Sequence, residues 1–247
     1  MRRLWPDPGD VDDVAALVAA EARPAPAGRP WVLVDMVSSL DGAITIGRRS
    51  GALGGPADRV MFAALRGVAD VVLAGAGTVR AESYGPSRPS AATRAARRTR
   101  GQHELPQVAV VTRSLDLDLA SPLFTEAERP TIVITCAAAD DDRRAAVAAV
   151  GELIVAGDDE VDLAAALAAL RDRGAAVVTA EGGPRLNGDL LAADLIDEWA
   201  LAVSPILAGG EAGRASRGPA LDKPVAMRLD RVLEADGFLF ARWVRAV

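Results

Sequence analysis

The chain has 247 residues, half of them apolar, and a formal net charge of −6 at neutral pH. That size suffices for one large core, so a single domain over 1–247 is expected, and the acidic balance excludes a surface built for nucleic acid, which needs clustered Lys and Arg. One cysteine, Cys136, and one histidine, His103, exclude a disulfide framework and a Cys-rich zinc site, fit a reducing compartment and leave no metal or histidine chemistry expected.

The segment 1–30 predicts a helix over 11–22, with Val14, Leu17 and Val18 at helical spacing, and then a Pro/Gly/Ala connector from Arg23 to Pro30. Pro and Asp follow Met1-Arg2-Arg3 where a signal peptide needs an apolar run, and every apolar stretch is short and interrupted. A cytoplasmic protein away from membranes is therefore expected. Trp31 to Val37 reads as a strand ending in the loop Ser38-Ser39-Leu40-Asp41-Gly42, residues 57–67 as a helix and Ala69 to Leu73 as a buried strand. From Arg80 to Gln107 there is no apolar period, and Arg88, Arg94, Arg97, Arg98 and Arg100 stand among Ala, Pro and Ser. Residues 82–106 thus read as an Arg-rich loop, either solvated or a lid that draws in a phosphate-bearing substrate.

Further strands are predicted at Val108–Thr112, Thr131–Thr135, Glu152–Val155, Ala175–Thr179 and Glu198–Val203, with helical runs at 139–150 and 161–173. Strands alternating with helices indicate parallel βαβ units with both sheet faces covered. The end of the chain departs from this: Val225–Glu234 and Phe238–Val244 are strand-like and joined at Ala235-Asp236-Gly237, a hairpin turn suited to positive φ. The expected α/β fold is a mostly parallel twisted sheet flanked by helices and closed by a C-terminal antiparallel hairpin. That arrangement resembles the dihydrofolate reductase architecture more than a standard dinucleotide fold.

Three strand ends carry residues suited to a phosphorylated cofactor. Gly75, Gly77, Thr78 and Val79 follow an apolar strand, where glycines let backbone N–H groups approach phosphate oxygens and Thr78 adds a hydroxyl. A steric need for glycine at a strand-to-helix turn explains the same pattern. A second turn, Glu181-Gly182-Gly183-Pro184-Arg185-Leu186, opens a helix with Pro184 in its first turn, so its free N–H groups face outward at the positive end of the dipole. At a third strand end, Arg113 and Ser114 suit the 2′-phosphate of NADP, or form an ordinary solvated terminus.

Taken together, Ser39-Leu40-Asp41-Gly42, Leu65-Arg66, Gly77-Thr78-Val79, Glu181-Gly182-Gly183, Leu195-Ile196-Asp197-Glu198 and the run Val203 to Gly210 resemble the reductase domain of the bifunctional riboflavin-biosynthesis deaminase/reductase. The likeness spans about residues 31–245 and is greatest to the stand-alone pyrimidine reductases, since the zinc-binding residues of the deaminase half are missing. The resemblance implies NADPH as cofactor, a homodimer, and reduction of the ribosyl group of 5-amino-6-(5-phosphoribosylamino)uracil, or of its diamino-pyrimidinone precursor, to ribityl. It implies a catalytic role for Glu181, a role beside the nicotinamide and sugar for Asp41 (or merely that of a turn residue before Gly42), and cofactor contacts from Thr78, Glu82 and Gly182 through Leu186, to which the strand-end reading adds Gly75, Gly77, Val79, Arg113 and Ser114. Substrate contacts fall on Ser38, Leu53, Arg66 and Glu181, with Arg66 on its helix either facing the phosphate or pairing with an acidic neighbour.

The chain departs from the family pattern on the substrate side. Ala43 stands where many relatives have a basic residue, and Glu82-Ser83-Tyr84-Gly85-Pro86 replaces the usual acidic segment after Thr78. Two other functions therefore stay open. One is an NADPH-dependent reductase of a dihydrofolate-type pterin or another small molecule, with Asp58 as the early helix acid or merely a helix cap. The other is a non-catalytic NADPH sensor. Tyr84, the one tyrosine, lies in this atypical loop, where it reads as a surface residue or as an aromatic that could stack on a planar ring.

Overall fold

The structure is a computed structural model and describes residues 1–246. In chain order its elements are β1 (Arg2–Trp5), β2 (Gly9–Asp10), α1 (Val14–Ala20), β3 (Trp31–Ser38), α2 (Pro56–Val68), β4 (Val71–Gly75), α3 (Ala76–Ala81), α4 (Ala91–Thr99), β5 (Gln107–Val111), α5 (Pro122–Thr125), β6 (Ile132–Thr135), α6 (Asp141–Ala148), β7 (Glu152–Val155), α7 (Leu163–Asp172), β8 (Val177–Ala180), α8 (Pro184–Ala192), β9 (Glu198–Val203), β10 (Met227–Ala235) and β11 (Phe238–Arg245).

All of these strands join one sheet, in the order β2-β1-β10-β11-β9-β3-β8-β4-β5-β6-β7. From β9 to β7 neighbours run parallel; β11, β10, β1 and β2 extend the sheet antiparallel. The parallel sheet and closing hairpin expected from the sequence are thus present. Strand β8 inserts between β3 and β4, so the loops leaving these neighbours part at their C-terminal ends and open a crevice there.

Alternate residues of the parallel strands face opposite cores. Val71, Leu73, Ala109, Ile132 and Ile134 pack with α7 and α8, whereas Val108, Val110 and Val133 pack with α3, α5 and α6. Leu33 and Leu233 pack with α1 and α2 on that second side. The hairpin is tied to the rest through Glu198, whose fully buried carboxylate accepts from Arg23, Arg242 and the Trp31 indole. Burial works against this charge, but the two guanidiniums hold the Glu198 carboxyl below its ordinary range.

Several boundaries differ from expectation for local reasons. The first helix is shorter than 11–22 because Asp13 accepts from Ala16 N at 2.8 Å and so caps it, while Glu21 is already extended. Strands β1 and β2, too short and polar to stand out in the sequence, precede it. The segment 82–106 is not a loop throughout: Ser90 accepts from Thr93 N and starts α4, which is rich in the good helix former Ala. Its arginines are engaged rather than free. Arg94 and Arg98 meet Glu128 and Glu104, Arg88 meets Glu126, and Arg97 is fully buried.

Arg97 donates to Gly67 O at 3.1 Å, Ala69 O at 2.5 Å and His103 O at 2.8 Å, binding α4 to the end of α2. Burial brings its guanidinium down to about 10. Arg97→Ala removes these donors and leaves a cavity, so it is expected to cost about 3 kcal/mol of stability. Urea unfolding that shows an unchanged midpoint would contradict this account of the segment.

Candidate active site

The residues singled out in the sequence converge where the loops leave β3, β8 and β4. Glu181, the first residue past β8, donates its N–H to Leu73 O at 2.9 Å, and Gly75 N donates to Gly182 O at 2.8 Å. These bonds hold the ends of β8 and β4 in register and set their two glycine turns against each other. Gly183 caps α8 and Gly75 caps α3, neither with a side-chain hydrogen bond. The first N–H groups of both helices are therefore available to an outside acceptor.

Glycine is required at this meeting point. Gly182 has φ +83°, and a Cβ at Gly183 would stand 2.7 Å from Thr78 Oγ1. Nothing lies within 4 Å of a Cβ placed on Gly77. The donor set, two uncapped helix starts plus a hydroxyl, is the chemistry that a pyrophosphate requires. Val79 and Leu186 are buried core residues, so only their backbones can face such a ligand, while Arg185 is exposed. Glu82 accepts from Ser50 N at 2.7 Å and so ties α3 to the loop that follows β3. Arg113 and Ser114 lie one strand away at the end of β5; Arg113 donates to Asp159 O at 2.8 Å and stands 3.5 Å from Glu160.

Beside the glycine turns is an ionic cluster centred on the buried carboxylate of Glu181, with Arg66 and Tyr84 half-buried around it. Glu181 takes a bidentate pair from Arg66 of α2, Nε to Oε1 and Nη2 to Oε2, both at 2.6 Å, and accepts from the Tyr84 hydroxyl at Oε2. Arg66 also lies 4.3 Å over the Phe62 ring and 5.5 Å over the Tyr84 ring, cation–π contacts that fix its plane. Burial works against the Arg66 charge, but Glu181 outweighs it and raises the guanidinium further. Burial and the Glu181 charge push the Tyr84 phenol well up, so it remains the donor.

Two readings change here. Tyr84 is part of the cluster and not merely a surface-loop residue. Arg66, for its part, pairs with an acidic neighbour, Glu181. Asp58 does not cap α2, which starts at Gly55 without a side-chain cap; its carboxyl, raised by burial, points toward Gly54.

Asp41 is exposed on the turn after β3. Its Oδ1 accepts from the Ser39 hydroxyl and from Ala208 N at 3.1 Å, and its Oδ2 from Gly209 N at 2.7 Å. The Ser39 bond first, then the two amides, lowers it to about 2. It thus works as an ionised latch between the β3 loop and residues 204–226, and at neutral pH it has no proton to give. Ser38 ends β3 and accepts from Ser204 N at 2.7 Å. Leu53 is fully enclosed, a packing position rather than an open contact.

The site also holds a residue that the motifs did not indicate. Asp35, in the middle of β3, has an Oδ2 that is sealed from solvent and without a hydrogen-bond partner. The available signal was a lone carboxylate in an apolar parallel-strand run, where charge is costly.

Comparison with known proteins places this geometry among reductases. The model of the RibD C-terminal domain family matches residues 30–237. The 2,5-diamino-6-ribosylamino-4(3H)-pyrimidinone 5′-phosphate reductase of Archaeoglobus fulgidus is 30% identical over 183 residues, covering 74% of this chain and 83% of that protein. Its namesake from Aquifex aeolicus is 31% identical over 189 residues, covering 74% and 80%. The crystal structure of a pyrimidine reductase-like protein from Corynebacterium diphtheriae superposes with a TM-score of 0.82 at 26% identity, over 94% of this chain and 99% of that one.

The latch makes a specific prediction. Asp41→Ala frees residues 204–226 from the β3 loop, so trypsin is expected to cut at the exposed Arg214 and Arg217 faster than in the wild type, with the circular dichroism unchanged. Because the folded carboxyl is depressed, the wild-type latch holds above the ordinary carboxylate range and is lost only as pH falls toward about 2. Equal cleavage rates for the two proteins would dismiss the latch.

Proposed function

The chain belongs to the RibD C-terminal domain family and is an oxidoreductase, and on that premise we propose that it uses NADPH to reduce the ribosyl group of a 6-ribosylamino-pyrimidine 5′-phosphate to ribityl in riboflavin biosynthesis. Of the two pyrimidines expected from the sequence, we take the 2,5-diamino form, which is the one in the names of the relatives above. The observation that carries the reading is the Arg66–Glu181–Tyr84 cluster, built on the buried Glu181 carboxylate and set against two uncapped glycine turns.

Gly75 to Thr78 and Gly182 to Leu186 would hold NADPH, with Arg113 and Ser114 toward its 2′-phosphate; when bound, it supplies hydride. The chain's own residues orient the sugar. Glu181 is fixed by three donor contacts yet keeps an acceptor site on Oε1 for a sugar hydroxyl. The rings of Phe62 and Tyr84 lie over the Arg66 guanidinium and hold it in place against Glu181.

The same reading takes residues 1–247 as one reductase unit working in the cytoplasm as a homodimer. Among the described residues no helix is long and apolar enough to cross a membrane. The dimer is supported by the sheet face turned away from α1 and α2, where Leu229 and Leu239 are exposed and Trp199, Leu201 and Trp243 half-buried.

The test is loss of reduced-nicotinamide absorbance with the diamino and deaminated ribosylamino-pyrimidine phosphates, with dihydrofolate run in parallel. Turnover of a ribosylamine is expected, and Glu181→Gln should lower kcat/KM by about 100-fold. Turnover of dihydrofolate alone would move the assignment to a pterin. Tight NADPH binding without turnover of any of them would leave a sensor.

A further inference from the structure

The three strand ends offered to the cofactor are not alike. At β4 and β8 the glycine turns present backbone donors, whereas the end of β5 presents a charged side chain, Arg113. Its Nε donates to Asp159 O at 2.8 Å, which sets the plane of the guanidinium. Its two terminal amino groups make no hydrogen bond among the described residues, and the side chain is exposed, so an anion from outside can reach them.

A carboxylate stands at this cation. Glu160 Oε1 lies 3.5 Å from Arg113 Nε, and the Glu160 side chain is exposed as well. The fold puts it there. The chain leaves β7 and turns sharply at Gly157, which has φ +86° and where a Cβ would meet Glu160 O at 2.3 Å. Ala137 N donates to Gly157 O at 2.9 Å, Ala138 N to Asp158 O at 2.8 Å and Cys136 Sγ to Asp159 O at 3.4 Å. The turn is thereby bound to the end of β6 and carried up to β5. The Glu160 charge is felt on α8 too: burial raises the Asp189 carboxyl, Arg185 lowers it, and Glu160 raises it again. Glu160 thus stands between Arg113 and the helix whose start faces the pyrophosphate in the reading above.

An exposed ion pair contributes little to stability, and the backbone bonds already hold this turn. Its chemistry bears on the ligand instead. In dinucleotide sites a carboxylate accepts the 2′-hydroxyl of the adenosine ribose, and a guanidinium accommodates a 2′-phosphate. Here both groups sit at one strand end. A phosphate that takes Arg113 must face the Glu160 charge, whereas a hydroxyl meets an acceptor already in place.

We infer that Glu160 is a specificity-determining residue that narrows the preference of the chain for NADPH over NADH. Its carboxylate accepts the free 2′-hydroxyl of NADH and repels the 2′-phosphate of NADPH, while Arg113 acts in the opposite sense. The site therefore binds both dinucleotides, and the balance between Arg113 and Glu160 sets the ratio. This assignment rests on the reading above that places the adenosine 2′ position at Arg113.

The experiment titrates wild type, Glu160→Gln, Arg113→Ala and Asp158→Asn with NADPH and with NADH, followed by nicotinamide fluorescence. Wild type is expected to bind the two within about tenfold of each other. Glu160→Gln should tighten NADPH about tenfold and weaken NADH about threefold, and Arg113→Ala should weaken NADPH about tenfold with NADH within about twofold. Asp158→Asn removes an equal charge from the same turn and should leave the ratio within about twofold. The ratio of kcat/KM for the two dinucleotides should follow the same order across the variants. A ratio unchanged in Glu160→Gln, or shifted equally in Asp158→Asn, while Arg113→Ala still loses NADPH, overturns the role of Glu160 alone. So does a wild type that prefers NADPH by more than about 100-fold. NADPH affinity unchanged in Arg113→Ala overturns the placing of the 2′ position, and the role of Glu160 with it. A wild type that binds neither dinucleotide overturns the cofactor reading itself.

Discussion

The bidentate pair between Arg66 and Glu181 governs the layout of the site, because it joins two elements that meet nowhere else with such directionality. Arg66 comes from the last turns of α2 and Glu181 from the first residue past β8, and the planar fork of Arg fixes both distance and angle between them. The Glu181 backbone is meanwhile tied to β4 through Leu73 O. Moving α2 would therefore leave the buried Glu181 carboxylate without its cation. The phenol of Tyr84 and the ring of Phe62 lie against the same guanidinium. The pair gives the crevice a fixed wall, against which the glycine turns on its other side can meet a ligand without rearranging.

A second buried charge system performs the same task for the antiparallel half. Glu198 at the start of β9 gathers Arg23 from the connector after α1 and Arg242 from β11, while Glu21 pairs with Arg23 and Arg231. The half-buried Trp31 of β3 adds an indole donor to the same carboxylate. The N-terminal segment, the central parallel strands and the closing hairpin are thereby fastened at one place. In this way a segment with little apolar surface of its own becomes part of the sheet.

Most of the architecture was legible because it rests on patterns of several residues. Strand Glu198–Val203, the Asp236-Gly237 turn and the βαβ alternation all depend on period and turn chemistry, and the structure contains them. What escaped depends on single residues whose partners are remote in sequence. Helix α4 has no apolar stripe because the residue it buries is Arg97, which satisfies carbonyls at the end of α2. Ser90 ahead of an Ala-rich run was the available signal. Tyr84 reads as a loop residue until Glu181, nearly a hundred positions later, accepts its hydroxyl. Asp41 was expected to act in chemistry; its oxygens take the amides of Ala208 and Gly209, far along the chain in the run Val203 to Gly210, a pairing that neither motif shows by itself. Asp35 was hidden by its apolar neighbours.

The place of β3 in the sheet bears on how the protein is made. Both of its neighbours, β8 and β9, are translated long after it, whereas β4 to β7 pair in succession with one another and only β4 keeps an edge for the late β8. On the ribosome β4, β5, β6 and β7 can associate early, while β3 waits with its edges unpaired until most of the chain has emerged. Its Asp35 makes that wait safer: a charged residue in the middle of an otherwise apolar strand discourages pairing with another nascent chain. The carboxyl loses its water only when α2 and β8 close over it, so the strand becomes sticky and the crevice becomes complete in the same late event.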